Sequence, residues 1–500
     1  SPVMIRPPPE VTPRMGLVAC GLAGFAAALG QAPWGLWPVA LVGYALGLWA
    51  VAAAGTPRAG FMRAWLFGAA HFSVALHWIV EPFLVDASAT GWMAPFGLIF
   101  LAGGLAIFWG GAGALAVWLG AGSRMMPICA ALTLAVAEAL RGLVLTGFPW
   151  AQPGHILIAS PGLPAASVVG PLGLTLVVLL GASLLSVPRW RLWGAGLWGG
   201  VLILGALMPS APLPAPEAAT IRLVQPNAQQ HQKWLPEFIP VFFERALTAT
   251  EAPPTGAEPA VVIWPETSLP ELLNRSVASR YDIADAAGSS PVLVGAQAYG
   301  SDSRPRNMVV LLQAGEVAAS YEKHHLVPFG EYLPLVAPLF DLIGVRGMAE
   351  RLAGGYQPGD GPANIDVPGI GPVFIMICYE AIFPGYIRAV ERPRLMVHMT
   401  NDAWFGDFAG PRQHLALTRL RAAEQGVPVV RAANTGISAV IDARGRVTDT
   451  LPLNTAGFLD AALPAALPPT VYAHTGDGPA WAVALMGLAA FYGRRRRIVG

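Results

Sequence analysis

The hydrophobic residues of this chain are distributed very unevenly, and that distribution restricts the possible folds more than any other feature. They dominate the first two-fifths of the sequence, give way to a mixed segment over residues 209–478, and return once near the end. Of the 500 residues, 54% are hydrophobic and 12% are charged, whereas soluble domains usually carry about 25% charged residues. The sequence therefore predicts a membrane protein with an extramembrane part. Its net charge of +1 gives no indication of nucleic-acid binding.

Eight segments are candidate membrane spans, because each is predominantly apolar and close to the roughly 20 residues that a bilayer crossing needs. They cover residues 16–32, 36–54, 63–83, 92–119, 127–145, 167–187, 192–208 and 479–492. We expect residues 1–208 to form an N-terminal membrane domain with seven spans. Residues 479–493 are expected to contain the eighth span, followed by an Arg-rich tail. A Pro-rich linker at 209–218 leads into a separate domain over residues 219–470.

The basic residues between the spans predict their orientation, because lysine and arginine accumulate in cytoplasmic loops. The loops at 81–91 and 146–166, which alternate with the basic ones, contain neither residue type. Both termini are therefore predicted on the cytoplasmic side, and residues 209–478 on the outer face. The residues that support this orientation are Arg6, Arg14, Arg58, Arg63, Arg124, Arg189, Arg191 and the arginine run at 494–497.

The outer segment alternates between strand-like and helix-like stretches, which predicts an α/β domain. Strand-like runs cover residues 221–224, 261–264, 292–296, 308–312, 374–378, 395–399 and 429–431. Helix-like stretches cover residues 237–250, 276–287 and 414–425.

Three short stretches of this domain place a reactive side chain at or just after a predicted strand end, where the active sites of α/β sheets are found. They are VVIWPETSLP with Glu266, YEKHHLVPFGEYLP with Lys323, and FIMICYEAIFPG with Cys378. Taken alone, each side chain has an ordinary structural explanation: a solvated loop glutamate, a surface lysine, and a buried, unreactive thiol. Together in one domain, they point to a catalytic site.

Cys378 has no histidine close to it in the sequence, so a papain-like Cys–His pair is not favoured. The carboxylates and Lys323 are the available partners, and we expect a low-dielectric site beside Lys323 to favour the thiolate. His324 and His325 are adjacent residues, which point apart on a strand, and no HxxxH or CxxC partner follows them. We therefore expect no metal site.

In this order along the chain, the glutamate, lysine and cysteine resemble the Glu–Lys–Cys arrangement of the nitrilase superfamily. The surrounding motifs are more specific: over essentially its whole length the chain resembles the apolipoprotein N-acyltransferase family, the membrane branch of that superfamily. The resemblance implies an α-β-β-α sandwich beside the eight-span helical bundle. It also implies a bacterial inner-membrane protein whose catalytic domain is periplasmic. The motifs are LRGLVLTGFPW (140–150), WPET (264–267), KHHLVPFGEYLP (323–334), ICYE (377–380), TNDAWFG (400–406) and RAANTGISAVID (431–442).

The resemblance implies a role for each of the three side chains. Glu266 matches the general base, Cys378 the nucleophile, and Lys323 the residue that stabilises the oxyanion, together with the backbone N–H of Tyr379. The implied reaction moves a fatty acyl chain from phosphatidylethanolamine, through a thioester on Cys378, to the α-amino group of the diacylglyceryl-modified N-terminal cysteine of an apolipoprotein. No cofactor is implied, because the thioester retains the reactivity of the acyl group.

Five further residues are predicted to support the site or to bind the substrate. Glu331 and Glu380 match family glutamates near the lysine and the nucleophile, where two carboxylates would keep the ammonium group charged. Trp234 matches a tryptophan at the site entrance. Phe340 and Leu342 lie in the apolar stretch 333–352, which is either a membrane-dipping lid that admits acyl chains or part of an ordinary core.

Two other functions fit parts of the sequence. A membrane-tethered amidase or nitrilase would share the first half-reaction and use water as the acceptor, although the apolar stretch and the spans favour a lipid donor. A transporter or receptor with an outer binding domain would not need an ordered Glu–Lys–Cys set. Within the spans, Glu138 and Arg141 lie three residues apart on one helical face, and we expect them to pair as a structural support.

Overall fold

Two compact units make up the structure, a computed structural model that describes residues 12–120, 123–215, 217–332 and 355–499. One unit is helical and comprises the described residues up to 83, residues 89–208, and those from 475 onwards. The other unit is α/β and comprises Leu84–Ser88 and Pro209–His474.

The helical unit contains long helices at all eight places where the sequence predicts spans. The first seven are α1 (Pro13–Ala28), α2 (Trp37–Ala52), α3 (Pro57–Ala75), α4 (Ala94–Gly120), α5 (Met126–Arg141), α6 (Ala166–Ser186) and α7 (Arg191–Leu207), and the eighth covers Gly478–Val499. Shorter, unlabelled helical turns cover His77–Val80, Glu81–Leu84, Ala87–Thr90, Gly91–Met93, Val144–Thr146, Pro153–Ala159, Leu163–Ala165 and Pro188–Trp190.

Three of these helical segments are long and apolar enough to cross a membrane: Ala87–Gly120, Leu163–Ser186 and Pro188–Leu207. Two shorter apolar helices cover Arg14–Ala28 and Trp37–Ala52. The remaining long helices are less apolar because they carry charged or ionisable side chains at several positions. Eight crossings therefore stay a prediction.

A buried ion pair stabilises the helical unit from within. Arg141 Nη2 lies 2.6 Å from Glu138 Oε2 on α5, and both side chains are almost completely buried. The indole N–H of Trp109 on α4 donates to Glu138 Oε1 over 2.7 Å. The predicted pairing of Glu138 with Arg141 is thus confirmed. Because a single buried charge would be costly, each charge requires the other.

Two six-stranded sheets form the α/β unit. Their strand orders are β12-β1-β2-β3-β4-β5 and β11-β10-β9-β8-β7-β6, with parallel pairing among β1, β2 and β3 and among β7, β8 and β9. The strands are β1 (Thr220–Gln225), β2 (Pro259–Ile263), β3 (Val292–Tyr299), β4 (Pro305–Gln313), β5 (Glu316–Glu322), β6 (Asn364–Val367), β7 (Gly371–Ile377), β8 (Leu395–Thr400), β9 (Val429–Ala433), β10 (Ser438–Ile441), β11 (Val447–Leu451) and β12 (Gly457–Ala462).

Alternating side chains divide this unit into four layers. On β7, Ile375 and Ile377 pack into the apolar core between the two sheets, whereas Phe374 and Met376 point to the opposite face. The outer face of one sheet is covered by α8 (Ile239–Glu251) and α9 (Val277–Ala287), and that of the other by α10 (Gly410–Gln425). The result is the α-β-β-α sandwich that the family resemblance implies. Short helical turns cover Leu273–Arg275, Cys378–Ile382, Tyr386–Ala389, Asp402–Trp404 and Val471–Thr475.

All seven strands and all three helices predicted for this unit are present, although their ends differ by a few residues. The sequence analysis missed β5, β6, β10, β11 and β12. β5 and β11 are largely exposed and polar, so they lack the apolar runs by which the other strands are recognised. The strand predicted through Cys378 ends one residue earlier, at Ile377, because Cys378 adopts a left-handed φ of 49° and begins a helical turn.

Candidate active site

The ends of three strands bring the predicted site residues together. Glu266 lies in the turn after β2, Lys323 directly follows β5, and Cys378 directly follows β7. All three side chains are buried, with exposed fractions of 6%, 1% and 7%. Buried titratable groups influence one another strongly because water does not screen them.

The two carboxylate oxygens of Glu266 have separate partners. Oε1 accepts a hydrogen bond from Asn307 Nδ2 over 2.7 Å and lies 3.6 Å from Lys323 Nζ. Oε2 accepts a hydrogen bond from the backbone N–H of Asn401 over 2.9 Å. These contacts fix the carboxylate, as is required of a group that exchanges a proton at one position.

Glu331 holds the ammonium group of Lys323 from the other side. Lys323 Nζ donates to Glu331 Oε1 over 2.8 Å, and Asn307 Nδ2 donates to the same oxygen over 3.2 Å. Glu331 Oε2 accepts from the backbone N–H of Val327 over 2.8 Å. Burial opposes the charge on Lys323, but Glu331 and then Glu266 raise its pKa above the usual value. Lys323 is therefore a fixed positive charge.

Cys378 is a neutral thiol in this environment, contrary to the expectation that Lys323 would favour the thiolate. Burial raises the pKa of the thiol well above its usual value, and the negative charge of Glu266 raises it further. Lys323 acts in the opposite direction, but its effect is smaller. Burial together with the negative charge of Glu266 outweighs the attraction of Lys323, so the neutral thiol is favoured.

Two histidines lie next to Cys378, although neither is close to it in the sequence. The Nε2 atoms of His398 on β8 and His414 on α10 are each 3.1 Å from the carbonyl oxygen of Cys378. Both contact the backbone of the cysteine in this way, rather than forming the Cys–His pair of a papain-like site. Sequence reasoning could not find them, because the fold, not the spacing, brings them to this carbonyl.

Glu380 accepts hydrogen bonds from backbone N–H groups of two separate segments of the chain at the site. Its Oε2 accepts from the N–H of Ile377 over 2.8 Å, and its Oε1 accepts from the N–H groups of His324 and His325 over 2.9 and 3.2 Å and from the hydroxyl of Tyr321 over 2.8 Å. It thereby joins the end of β5 to the end of β7. Burial would raise the pKa of Glu380, but the hydrogen bond from His324 and the backbone contacts lower it.

The chain contains two lysines, Lys233 and Lys323, and both contact Glu266. Lys233 Nζ donates to the carbonyl oxygen of Glu266 over 3.3 Å and to Thr267 Oγ1 over 2.8 Å. Burial lowers the pKa of Lys233 to about 8, against the opposing effect of Glu266. Trp234 is 43% exposed, and its ring lies 5.3 Å from Lys233 Nζ.

An open pocket of about 380 Å³ lies beside this turn. Its lining includes Trp234 with Lys233 and Thr267, and apolar side chains of α8 such as Phe242 and Phe243. Lys233 thus contacts both the ring of Trp234 and the backbone carbonyl of Glu266.

Three predicted site residues remain, and the structure describes only Tyr379. Tyr379 is 5% exposed and directly follows Cys378 in the chain. Phe340, Leu342 and the apolar stretch 333–352 lie outside the described residues.

Three residues that form hydrogen bonds with Glu266 were not predicted from the sequence. Asn401 belongs to the motif TNDAWFG, but its contribution is a backbone N–H, which no residue type reveals. Asn307 is a single polar residue in β4, and Lys233 resembles an ordinary loop lysine. Over the four described ranges, no group of three or more His, Cys, Asp or Glu side chains is arranged as a metal site.

Comparison with known proteins assigns both halves of the sequence. Residues 23–184 match the family model described as apolipoprotein N-acyltransferase N-terminal domain, and residues 228–468 match that described as carbon-nitrogen hydrolase. An amidase from Nesterenkonia sp. is 21% identical, with a TM-score of 0.37, over 51% of this chain and 94% of the amidase.

Relatives with the same arrangement cover almost the whole chain. An apolipoprotein N-acyltransferase from Caulobacter vibrioides is 39% identical over 482 residues, which are 91% of this chain and 90% of the relative. One from Bradyrhizobium diazoefficiens is 36% identical and covers 95% of this chain and 94% of the relative. The chain therefore belongs to the apolipoprotein N-acyltransferase family.

Proposed function

We propose that this acyltransferase moves a fatty acyl chain from phosphatidylethanolamine to the α-amino group of the diacylglyceryl-modified N-terminal cysteine of apolipoproteins, through a thioester on Cys378. The observation that carries the proposal is the buried cluster in which Glu266 and Lys323 are in contact and the charges of both shift the pKa of Cys378. A base, a cation and a thiol in one water-poor site are the groups that acyl transfer through a thioester requires.

The first step transfers the thiol proton of Cys378 to Glu266 as the sulfur attacks the ester carbonyl. Because the pKa of the thiol is high, a thiolate is not stored at rest and forms only with the substrate in place. A carbon–sulfur bond forms, and the carbonyl electrons move to the oxygen. When the ester carbon–oxygen bond breaks, Glu266 returns the proton to the departing lysophospholipid hydroxyl, leaving the acyl thioester.

Negative charge on the carbonyl oxygen is the main barrier to this step, and Lys323 is the charge that offsets it. Its ammonium group is buried and held between Glu331 and Glu266, so it needs no reorganisation during the reaction. The backbone N–H of Tyr379 is the second donor. A preorganised donor of this kind contributes on the order of 10²–10³ in rate.

The second half-reaction uses the same residues in the same order. The acceptor amine attacks the thioester carbonyl, Glu266 takes a proton from the nitrogen, and that proton reaches the sulfur of Cys378 as the carbon–sulfur bond breaks. The products are an amide and the original thiol. No external oxidant, nucleotide or metal enters this balance.

Three residues are proposed to contact the substrates. Trp234 lines the open pocket together with Thr267, which follows Glu266 in the chain, and it is proposed as a contact for an acyl chain or for the acceptor. Phe340 and Leu342 are proposed as apolar contacts for the lipid, on the basis of the sequence alone.

The proposed location is the bacterial inner membrane, with the α/β unit on the periplasmic face and both termini in the cytoplasm. Basic residues at alternate connections between the helices support this orientation. Arg63 is one of these basic residues, and its Nη1 donates to the carbonyl of Ala50 at the end of α2 over 2.8 Å.

The experiment is incubation of the detergent-purified protein with phosphatidylethanolamine, followed by intact-mass measurement. We expect an added mass of one acyl group on the wild type and on Cys129→Ala, a matched control in which a buried cysteine of α5 is replaced. Cys378→Ala should carry no adduct. Addition of a diacylglyceryl-modified peptide with a free α-amino group should remove the adduct and yield the N-acyl peptide.

Two outcomes would contradict the proposal. An unmodified wild type under turnover conditions would rule out the thioester. Release of free fatty acid at the same rate with and without the amine acceptor would instead favour hydrolysis by water.

A further inference from the structure

A buried polar cluster lies directly behind the nucleophile, and the proposed reaction gives it no role. It consists of His398 on β8, Asp402 just after β8, His414 on α10 and Arg431 on β9. All four residues have an exposed fraction of 0%. Both histidines donate from Nε2 to the carbonyl oxygen of Cys378, each over 3.1 Å.

Hydrogen bonds hold His414 between two acceptors. Its Nδ1 lies 2.8 Å from Asp402 Oδ1, while its Nε2 faces the carbonyl of Cys378. Burial would raise the pKa of Asp402, but Arg431 and His414 lower it to about 2, so Asp402 is a carboxylate. Asp402 thus fixes the orientation of the His414 ring and directs Nε2 at the carbonyl of Cys378.

His398 is neutral, because burial and then the charge of Arg431 hold its pKa well below the usual value. Its Nδ1 is contacted by Arg431 Nη1 and by Thr418 Oγ1, each over 2.9 Å, while its Nε2 faces the carbonyl of Cys378. Arg431 also contacts the second carboxylate oxygen of Asp402. The cluster therefore fixes both histidine rings with their Nε2 atoms directed at the same carbonyl oxygen.

The carbonyl oxygen of Cys378 and the N–H of Tyr379 belong to the same peptide group. Hydrogen bonds to the oxygen polarise the group and make its N–H a stronger donor. Two such bonds also fix the plane of a peptide whose first residue has a left-handed φ of 49°. Such a backbone conformation is uncommon in a residue other than glycine and has to be held by its surroundings.

We propose that His414 and His398 are positioning residues that hold the Cys378–Tyr379 peptide and strengthen the Tyr379 N–H as a donor to the oxyanion. The inference rests on the proposed function, since it requires the oxyanion to form at that N–H. Cooperative strengthening amounts to roughly 10–30% for each hydrogen bond, and an oxyanion donor contributes on the order of 10²–10³ in rate. One histidine therefore contributes roughly 2- to 8-fold, well below the loss expected for Cys378 itself.

The test is His414→Asn in the full-length protein. An asparagine amide can donate to Asp402 at the position of Nδ1, but it does not reach the carbonyl of Cys378. His398→Asn is the second variant, because its amide can accept from Arg431 at the position of Nδ1, again without reaching the carbonyl. His474→Gln, a change of an exposed histidine at the end of the α/β unit, is the control.

Two measurements separate a positioning role from a purely structural one. In single turnover, each variant should form the thioester roughly 2- to 8-fold more slowly, with an unchanged dependence on lipid concentration. With a ¹³C-labelled acyl carbonyl, the infrared stretch of the thioester should move to higher frequency than in the wild type, because the N–H of Tyr379 donates more weakly. The control should match the wild type in both.

Either result can overturn the inference without affecting the proposed function. Thioester formation at the wild-type rate with an unshifted carbonyl stretch, in a folded variant, would show that the histidines only fill space. If His414→Asn does not fold, His398→Asn decides the question alone. A wild type that forms no thioester would instead contradict the proposed function.

Discussion

The neighbours of Cys378 set the balance between its thiol and thiolate forms, and at rest they favour the thiol. Burial and Glu266 raise its pKa, while Lys323 lowers it. A resting thiol is protected from oxidation, because the thiolate, not the thiol, is the form that oxidants attack. In the proposed reaction, Glu266, whose charge disfavours the thiolate at rest, is also the base that takes the thiol proton.

The first prediction concerns alkylation of Cys378 by iodoacetamide. Since the pKa of the thiol lies well above 9.0, the thiolate fraction is small at neutral pH and grows about tenfold for each pH unit. We expect the alkylation rate, measured by intact mass at several pH values between about 7 and 10, to rise throughout without levelling off. Lys323→Met should alkylate more slowly at every pH, because it removes the charge that lowers the pKa.

Subtraction of the rate for Cys378→Ala corrects for Cys20 and Cys129. A plateau at neutral pH in the wild type would mean that the thiolate already exists at rest, and that burial and Glu266 do not outweigh Lys323.

The second prediction compares Lys323 with Glu331, one of the two carboxylates that flank it. Lys323→Met removes the cation that stabilises the oxyanion and should lower kcat by about 10²–10³. Glu331→Gln keeps a hydrogen-bond acceptor and leaves Lys323 charged beside Glu266, so its effect on kcat should be about tenfold or less. Glu316→Gln, an exposed change on β5, is the matched control for the loss of one carboxylate.

Steady-state assays with a lipid donor and a peptide acceptor give these values. An effect of Glu331→Gln as large as that of Lys323→Met would mean that Glu266 alone does not hold the ammonium group of Lys323 in its functional state.

Secondary-structure elements carry the site residues at their ends, and Glu380 is the contact that aligns two of those ends. It belongs to the helical turn after β7, and it accepts from backbone N–H groups of that strand's end and of the segment after β5. The segment after β5 begins with Lys323. Glu380 therefore positions Lys323 relative to Cys378 through the backbone, whereas the sequence suggested direct support of the lysine charge.

The third prediction follows from the pKa of Glu380, which is lower in the folded protein than its usual value of 4.5. A carboxyl group with a depressed folded pKa contributes stability above its unfolded pKa, and that contribution is lost as the pH falls through the folded value. The thermal midpoint of the wild type should thus exceed that of Glu380→Gln at pH 7. The difference between them should shrink as the pH decreases below about 4.5.

Thermal unfolding in detergent, followed by circular dichroism at several pH values, measures this difference. Glu244→Gln, an exposed change on α8, should show no such convergence. A gap between the wild type and Glu380→Gln that stays constant down to acidic pH would show that the stabilisation is not electrostatic.

Over the whole molecule, the sequence predicts the helices and strands that have a local apolar pattern. It does not predict contacts between residues that only the folded chain brings together. Apolar runs locate the long helices and the central strands, because burial requires them. The exposed strands β5 and β11 lack this signal. Glu266, Lys323 and Cys378 are found through short motifs at strand ends. Contacts through a backbone atom, such as the Asn401 N–H on Glu266, are invisible until the chain is folded.

The raised pKa of Cys378 illustrates the same limit. Sequence reasoning placed a lysine near the thiol and expected a thiolate, because opposite charges attract. Whether the pKa of Cys378 rises or falls depends on the balance between burial, Glu266 and Lys323. Only the folded geometry shows which of these effects is larger.

The fourth prediction concerns how many helices cross the membrane. If all eight cross with a cytoplasmic N-terminus, the connections near Arg124 and Arg189 lie on the same, cytoplasmic side, and the chain after Met208 lies outside. If only the three most apolar segments cross, α5 does not, and Arg124 and Arg189 lie on opposite sides. The two arrangements therefore differ in the side on which Arg189 lies relative to Arg124.

Fusions of alkaline phosphatase, which is active only outside the cytoplasm, and of green fluorescent protein, which is fluorescent inside it, distinguish these arrangements. With eight crossings, we expect fluorescence from fusions at Arg124 and Arg189 and phosphatase activity from a fusion just after Met208. The reason is that α5 and α6 together return the chain to the side it left, and α7 then carries it across once more. Opposite signals at Arg124 and Arg189 would contradict eight crossings and show that α5, with its buried Glu138–Arg141 pair, packs without spanning the bilayer.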